Sequence, residues 1–266
     1  MEKSEFQTMG VAENATLGRV LIIDDRIQLS AHDEFTYHEM FAHVPMTAHG
    51  NVSKVLIIGG GDGATLREVL KHEGVKATLV DIDCKVPEFS KRYLPSLHQG
   101  SWDHPNATVI FDDGCKFVRE TEERFDVIIV DSTDPEEEGP SSVLYQKEFY
   151  GNCRRCLTPG GIVVTQHGHP QFEAYPAVAL GHLAQTFAVT TVYHFCVPTY
   201  MGGVQAFAWA SDDRTALDTP VEELERRWAT KNIETRHYAP AYGKACFVLP
   251  KWLQEVVDKA NATRGA

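Results

Sequence analysis

Four aspartates stand at the ends of four consecutive predicted strands. Asp62 follows the apolar run KVLIIGG, Asp81 ends ATLVD, and Asp113 and Asp131 end TVIFDD and FDVIIVD. In an open α/β sheet the ligand lies outside the carboxyl ends of the strands, so these side chains should converge on one crevice. Because like charges repel one another, such a group of carboxylates favours a positively charged ligand.

The segment Gly59–Ala64, GGGDGA, indicates what else the ligand contains. Glycines let the backbone approach a ligand, and the helix that follows offers free N–H groups. Asp81 stands where a carboxylate usually binds ribose hydroxyls, so the pattern indicates an adenosine-containing ligand. A nicotinamide dinucleotide and an S-adenosyl compound both fit. Asp62 favours the second, because a carboxylate repels a pyrophosphate and attracts a sulfonium or an ammonium.

The elements that position these residues alternate along the chain. Apolar runs rich in Val and Ile alternate with amphipathic segments such as ATLREVLKHE, which predicts a doubly wound, Rossmann-like α/β domain. Before it, GRVLIIDDRIQLS predicts a small β-hairpin region and HDEFTYHEMFAHVPM an amphipathic helix. We therefore expect a small N-terminal β subdomain with a connecting helix over residues 1–50 and the catalytic domain over residues 51–266.

The second half of the chain should complete the sheet. The predicted strands are GGIVVTQ, VTTVYHFCVP and VQAFAWAS, with a helix over about residues 173–187. Gly-Gly pairs at 160–161 and 202–203 read as turns and indicate an antiparallel hairpin. Two amphipathic helices, VEELERRW and PKWLQEVVDK, follow.

Composition narrows the partners. The 266 residues are 43% hydrophobic, enough for one sizeable core, and the formal net charge is -12. That charge argues against nucleic acid and allows small cationic substrates. No apolar run reaches the roughly 18 residues of a membrane span and the start lacks a secretory signal, so we expect no membrane partner and a cytoplasmic location.

Metal binding is not predicted. Cys153 and Cys156 are the C-x-x-C pair among six cysteines, and they fall in a predicted helix with no second pair. His167 and His169 have no third ligand at a suitable spacing. We expect no metal and free cysteines, as in a reducing compartment.

Five sequence blocks occur in an order that resembles the spermidine synthase family of aminopropyltransferases. They are YHEM (Tyr37–Met40), VLIIGGGDGATLREV (Val55–Val69), DDG (Asp112–Gly114), DSTDP (Asp131–Pro135) and VPTYMGG (Val197–Gly203). The resemblance covers nearly the whole chain. It implies a sheet of the S-adenosylmethionine-dependent methyltransferase type and a homodimer. It also implies decarboxylated S-adenosylmethionine as co-substrate, a polyamine such as putrescine as acceptor, spermidine and methylthioadenosine as products, and no permanently bound cofactor.

The resemblance also assigns roles to individual residues. Asp131 matches the general base, and Tyr37 joins it in the catalytic group. The residues expected to bind the donor are Gln7, Asp62, Asp81, Asp113, Gly114, Asp131 and Pro140. The residues expected to bind the acceptor are His38, Asp62, Asp131, Ser132, Thr133, Asp134, Gln166 and Tyr200.

The chain departs from the family pattern in three places. Asp81 replaces the usual glutamate, which shortens the ribose ligand by one methylene. The loop after Asp134 contains the acidic run Glu136–Glu138 and is two residues longer than the family's D-P-x-G-P. That run is either a solvated loop tip or an electrostatic lure for polyamines. The chain also begins close to Gln7, so much of the family's amino-terminal hairpin is expected to be missing.

Two other functions stay open at this stage. One is an S-adenosylmethionine-dependent N-methyltransferase acting on putrescine. Methyltransferases often hold the methionine ammonium with an acidic residue where this chain has Ile57, and Asp62 and Asp131 would oppose the methionine carboxylate. The other is a polyamine-binding relative that has lost activity.

Overall fold

The N-terminal segment forms an antiparallel sheet that is larger than the predicted hairpin. The computed structural model describes residues 1–134, 141–169, 171 and 175–265. Each strand of this sheet pairs with the next along the chain, and the strands are β1 (Glu2–Lys3), β2 (Thr8–Asn14), β3 (Gly18–Ile23) and β4 (Arg26–Ser30). The turn between β3 and β4 is Asp24-Asp25, where both residues have positive φ, 46° and 64°. Positive φ at both turn residues is typical of two-residue hairpin turns, whose twist matches that of the two strands they join.

The connecting helix α1 (Glu34–His49) is buried on all sides. It ends at Gly50, whose φ of 82° is left-handed and whose N–H donates to the carbonyl of Met46. Every residue from 36 to 48 is buried, so the prediction of an amphipathic helix is wrong. The polar residues on this helix have buried partners: Glu39 accepts hydrogen bonds from the backbone N–H groups of residues 236, 237 and 238, at 2.8 Å each.

A seven-stranded mixed sheet follows the connecting helix, as the alternating pattern predicts. Its strands are β5 (Lys54–Gly59), β6 (Lys76–Asp81), β7 (Ala107–Phe111), β8 (Phe125–Asp131), β9 (Leu157–Gln166), β10 (Val189–Cys196) and β11 (Val204–Ser211). They lie in the order β10-β11-β9-β8-β5-β6-β7, and β11 runs antiparallel to both of its neighbours. The strand order reverses between β5 and β8, and such a switch point is where ligands bind.

Helices cover both faces of this sheet. They are α2 (Ala64–Leu70), α3 (Lys85–Tyr93), α4 (Pro95–His98), α5 (Gly114–Glu120), α6 (Lys147–Arg155), α7 (Tyr175–Thr186), α8 (Thr215–Asp218), α9 (Val221–Ala229), α10 (Pro240–Ala245) and α11 (Lys251–Ala262). One buried cluster packs α1, α2 and α9 on one face, and a second packs α5, α6, α7 and α11 on the other. Among the helices of the described residues, none is both long and apolar enough to cross a membrane.

The hairpin prediction is half right. β10 and β11 pair antiparallel, with Gly202 and Gly203 between them, whereas Gly160 and Gly161 lie inside β9 and do not form a turn between strands. The predicted C-terminal helices correspond to α9 and α11, and the short helix α10 was missed. All six cysteines are free, and Cys153 and Cys156 are buried at the end of α6.

Candidate active site

A cavity of about 320 Å³ opens at the carboxyl ends of β5, β6 and β8. The N-terminal sheet and the loop before β11 close it from the other side. Most of the predicted site residues line it: Gln7, Tyr37, His38, Asp62, Asp81, Asp113, Gly114, Asp131, Ser132, Thr133, Gln166 and Tyr200. Asp134 lies beside Gln166, whose side-chain amide donates to its carboxylate. Pro140 and Glu136–Glu138 lie outside the described residues.

The glycine loop packs directly on the backbone of Asp131. Gly59 has a left-handed φ of 80°, and a Cβ at that position would lie 2.2 Å from the carbonyl oxygen of Asp131. The N–H of Gly60 donates to the same oxygen at 2.8 Å. Only glycine allows this approach, which places the Asp131 carboxylate beside the loop that carries Asp62.

Two hydroxyl groups orient the Asp131 carboxylate. Tyr37 Oη donates to Oδ1 at 2.9 Å, and Thr65 Oγ1 donates to Oδ2 at 2.5 Å. Burial raises the pKa of Asp131 and the charge of Asp62 adds to this, while His38, Thr65 and Tyr37 oppose it, so that the pKa is raised to about 6. A carboxylate with a pKa close to neutral can take a proton and release it again, as a general base must.

Asp62 belongs to the glycine loop, and the carboxylate of Asp81 lies against the same loop at Gly61. The Oδ1 of Asp81 accepts from the N–H of Asp83 at 2.8 Å, and a Cβ on Gly61 would lie 2.6 Å from its Oδ2. Burial raises the pKa of Asp81 to about 6, with the charges of Asp83 and Asp62 adding to the effect and backbone N–H groups opposing it. Asp62 Oδ1 accepts from the N–H of Ala64 at 2.8 Å, at the start of α2.

We expect donor use to decline in mild acid. The raised pKa values of Asp131 and Asp81 mean that both carboxylates take up protons as the pH falls through about 6 and lose the charge that attracts a cation. The value of kcat/KM for the donor, measured at saturating acceptor, should fall by about tenfold or more per pH unit below that point. A circular dichroism spectrum at each pH checks that the protein stays folded. A level profile between pH 7 and 5 would contradict this expectation.

Asp113 and Gly114 open helix α5 at the cavity. Asp113 Oδ1 accepts from the N–H groups of Cys115 at 2.7 Å and Lys116 at 3.4 Å, so it caps this helix. A Cβ on Gly114 would lie 2.5 Å from Cγ2 of Ile58, which explains why glycine stands where α5 meets β5. Their predicted contact with an adenine stays a prediction.

The N-terminal segment is held to the sheet by a residue that the sequence analysis missed. Gln7 Nε2 donates to Oδ2 of Asp83 at 2.9 Å, and Ser4 Oγ donates to the same oxygen at 2.6 Å. Asp83 follows Asp81 by two residues, and this second acid after the strand was the available signal. Thr65 was missed as well, although a hydroxyl in the first turn after a glycine loop is well placed to contact a neighbouring strand end.

The far end of the cavity contains a set of hydroxyl groups, and Asp134 lies beside it against Gln166. Tyr200 Oη donates to the carbonyl of Gln28 at 2.5 Å, and Thr133 Oγ1 donates to Oγ of Ser141 at 2.9 Å. Asp134 also has a cationic neighbour, since Nη1 of Arg26 lies 3.7 Å from its Oδ2. The arginine comes from the N-terminal sheet, and sequence reasoning did not link it to the site.

The strand-end carboxylates are not neutralised by basic side chains. Over the described ranges of the chain, no lysine or arginine forms an ion pair with any of the four, namely Asp62, Asp81, Asp113 and Asp131. The described residues also contain no group of three or more His, Cys, Asp or Glu side chains that could hold a metal ion. The imidazole of His169 contacts the carbonyl of Val204 through Nδ1 at 3.0 Å. As far as the structure describes the chain, these four carboxylates therefore present negative charge to a ligand with no lysine or arginine paired to them.

Comparison with known proteins gives one consistent picture. The family model "Spermine/spermidine synthase domain" matches residues 34–219. The polyamine aminopropyltransferase of Serratia proteamaculans is 44% identical over 99% of this chain and 91% of its own length. Polyamine aminopropyltransferase 1 of Pseudomonas aeruginosa is 45% identical, over 97% of this chain and 91% of its own length.

Solved structures agree with these sequence matches. A spermidine synthase in complex with the transition state analogue AdoDATO superposes with a TM-score of 0.90 at 36% identity, covering 97% of this chain and 87% of that one. The spermidine synthase from Thermotoga maritima gives a TM-score of 0.86 at 34% identity, with 97% and 86% covered.

Proposed function

The chain belongs to the spermine/spermidine synthase family and is a polyamine aminopropyltransferase, and we propose that it transfers the aminopropyl group of decarboxylated S-adenosylmethionine to putrescine. The products are spermidine and methylthioadenosine. The observation that carries this proposal is the cavity whose strand-end carboxylates have no basic partner among the described residues. The donor contains a sulfonium and an ammonium but no carboxylate, and the acceptor is a dication, so one acidic cavity suits both.

The donor is assigned to the side of the cavity formed by β5, β6 and α5. Asp62 and Asp131 bind its amine, Asp81 its ribose hydroxyls, and Asp113 with Gly114 its adenine. Burial raises the pKa of Asp81 to about 6, so this carboxylate is still mostly ionised at neutral pH. An ionised carboxylate can accept hydrogen bonds from both ribose hydroxyls. Gln7 covers the nucleoside from the N-terminal segment, fixed there by Asp83.

The acceptor is assigned to the side formed by α1, β9 and the loop before β11. Asp134 binds the distal ammonium, and the residues that line its path are His38, Ser132, Thr133, Gln166 and Tyr200. The reacting amine lies next to Asp131. Asp134 at one end of the acceptor and Asp131 at the other set the position of the reacting amine relative to the donor sulfonium. This alignment supplies part of the rate enhancement.

Asp131 removes the proton that blocks the reaction. An alkylammonium has no lone pair, and its pKa in water is about 10, so the attacking nitrogen must first lose a proton. Because the pKa of Asp131 is raised, the difference between its pKa and that of the alkylammonium is smaller, which makes the proton transfer less unfavourable. The freed nitrogen attacks the carbon next to sulfur, a C–N bond forms, the C–S bond breaks, and its electron pair stays on the neutral thioether of methylthioadenosine. Tyr37 and Thr65 hold the base during this transfer.

The N-methyltransferase alternative fits the cavity less well. Its donor would bring a carboxylate against Asp62 and Asp131, and the position that would hold its ammonium is occupied by Ile57, which is fully buried in the core. Product identification by mass spectrometry separates the functions. We expect spermidine from putrescine and the decarboxylated donor; methylputrescine from S-adenosylmethionine would contradict this, and tight polyamine binding without turnover would indicate an inactive relative.

Arg26 is expected to compete with the acceptor for Asp134. Its guanidinium lies 3.7 Å from the carboxylate and about half of its side chain is exposed, so the pair is weak and an ammonium can displace it. Arg26→Gln should therefore lower KM for putrescine by about two- to fivefold and leave KM for the donor unchanged. The matched control is Arg214→Gln, which removes a similar exposed ion pair, to Asp218, outside the cavity. An unchanged or higher KM for putrescine in Arg26→Gln would refute the competition.

We also propose that the protein forms a homodimer, a proposal that rests on its family alone. Sedimentation velocity over a range of protein concentrations measures the assembly, and a monomer throughout would contradict it.

A further inference from the structure

His38 is held by a carboxylate on its own helix. Its Nδ1 lies 2.7 Å from Oε2 of Glu34, one helical turn earlier on α1. Both side chains are nearly inaccessible to solvent, 4% for His38 and 11% for Glu34. On its other side, His38 lines the cavity, and its ring packs edge-on against Tyr37 with the ring centres 5.1 Å apart.

Arg67 in turn clamps Glu34. Its Nη1 donates to Oε1 at 3.1 Å and its Nη2 donates to Oε2 at 2.9 Å, which is the bidentate geometry of a strong arginine–carboxylate pair. Arg67 belongs to α2, the helix that begins at the glycine loop, and it also donates to Glu68 at 2.8 Å and to the carbonyl of Leu97. The pair thus ties the helix of Tyr37 and His38 to the helix behind Asp62.

We propose that Glu34, clamped by Arg67, is a positioning residue that keeps the proton of neutral His38 on Nδ1 and so presents Nε2 to the acceptor ammonium as a hydrogen-bond acceptor. A carboxylate can only accept, so the histidine nitrogen facing Glu34 must carry the proton. The other ring nitrogen then has a free lone pair in the neutral imidazole. The inference rests on the proposed function, because it takes the acceptor to be a diamine bound beside His38.

The charges around His38 favour its protonated form, with which the neutral form that accepts at Nε2 must compete. Burial lowers the pKa of His38, but the hydrogen bond and charge of Glu34 and the charges of Asp62 and Asp131 outweigh it, so its pKa is raised. Asp62 faces the ring from the glycine loop and Asp131 from β8, while Arg67 lies behind Glu34 on α2. A cation that binds at Nε2 must displace the proton that these groups favour. By linkage, putrescine should therefore lower the pKa of His38.

Nuclear magnetic resonance of the unaltered protein tests the tautomer directly. In ¹⁵N-histidine-labelled protein, we expect the neutral form of His38 to carry its proton on Nδ1, its pKa to lie above that of an ordinary histidine, and putrescine to lower that pKa. A neutral form protonated on Nε2, or a pKa that putrescine leaves unchanged, would overturn the inference. Product formation in the same samples tests the proposed function separately. If spermidine is formed but either of these two contradicting results is seen, the inference about Glu34 fails and the proposed function stands.

Variants test the role of Glu34. Glu34→Leu removes the oxygen that holds the proton on Nδ1. The pKa of His38 should fall, and the neutral ring can then carry its proton on Nε2, towards the ammonium. KM for putrescine should rise about tenfold, with kcat and KM for the donor changed by about twofold or less. Because this variant leaves Arg67 with Glu68 as its remaining carboxylate partner, Glu34→Leu/Arg67→Met, which removes both charges of the clamp, is measured beside it. The control is Glu223→Gln, which removes another Glu–Arg contact, on α9 away from the cavity. Unchanged His38 signals and an unchanged KM in both variants would show that Glu34 has no such role.

Discussion

Replacement of Asp131 by asparagine is expected to lower kcat by about 10²–10⁴-fold, the range that general acid–base catalysis contributes. Asparagine keeps the shape of the side chain and can still contact Tyr37 and Thr65, but it cannot take a proton from the acceptor amine. The measurement is kcat at saturating donor and putrescine. KM for either substrate is less informative, because Asp131 also contributes charge to binding.

Stability distinguishes a catalytic effect from a damaged fold. The pKa of Asp131 is raised to about 6, above its value in an unfolded chain, so ionisation of this group costs stability as the pH rises through 6. Asp131→Asn should therefore have a Tm equal to or higher than that of the parent at pH 7.

Asp126 provides the matched control for this comparison, at the opposite end of the same strand. Its carboxylate accepts from the N–H groups of Ser53 and Lys54 at 2.8 and 3.0 Å. Burial raises its pKa, but these bonds and those of Thr158 and the Ser53 hydroxyl lower it overall, so its ionised form stabilises the fold at neutral pH, and this is lost as the pH falls. Asp126→Asn should lower Tm and retain kcat. If Asp131→Asn kept a kcat close to that of the parent protein, Asp131 would be excluded as the general base.

The second large effect is expected from Asp134→Asn, which should raise KM for putrescine by about 10- to 100-fold while kcat changes little. The substitution removes the charge that binds the distal ammonium and keeps an oxygen for the amide of Gln166. The measurement is initial rate against putrescine concentration at saturating donor.

A charge control accompanies that variant. Asp212→Asn removes an exposed aspartate that pairs with Arg154 at 2.6 Å, outside the cavity, and should leave both KM values unchanged. If Asp134→Asn lowered kcat and kept KM for putrescine, the acceptor would have to bind elsewhere and the assignment of its two ends would be wrong.

The sheet and the convergence of the carboxylates could be predicted from the sequence, because both depend on local patterns. Buried parallel strands are continuous apolar runs, and topology brings their carboxyl ends to one edge. Asp62, Asp81 and Asp131 needed only their positions at strand ends to be found, and the cavity is lined by all three.

Contacts between distant elements could not be predicted in this way. Arg67 reaches Glu34 across 33 residues of sequence, and Arg26 reaches Asp134 from another sheet. Helix α1 illustrates the physical reason. His43 is a polar residue of the kind expected on an exposed helix face, yet it is fully buried. Its ring nitrogens lie 2.9 Å from Nε2 of His72 and 2.9 Å from Oε2 of Glu68. A polar residue with a buried partner looks the same in the sequence as an exposed one.

The most direct test of this account compares the binding of two donors by calorimetry, decarboxylated S-adenosylmethionine and S-adenosylmethionine. They differ by one carboxylate, which would lie against Asp62 and Asp131. Because placing like charges together costs several kcal/mol, the decarboxylated compound should bind about 100-fold or more tightly. Equal affinity for the two compounds, or tighter binding of S-adenosylmethionine, would contradict an acidic cavity built for cationic substrates.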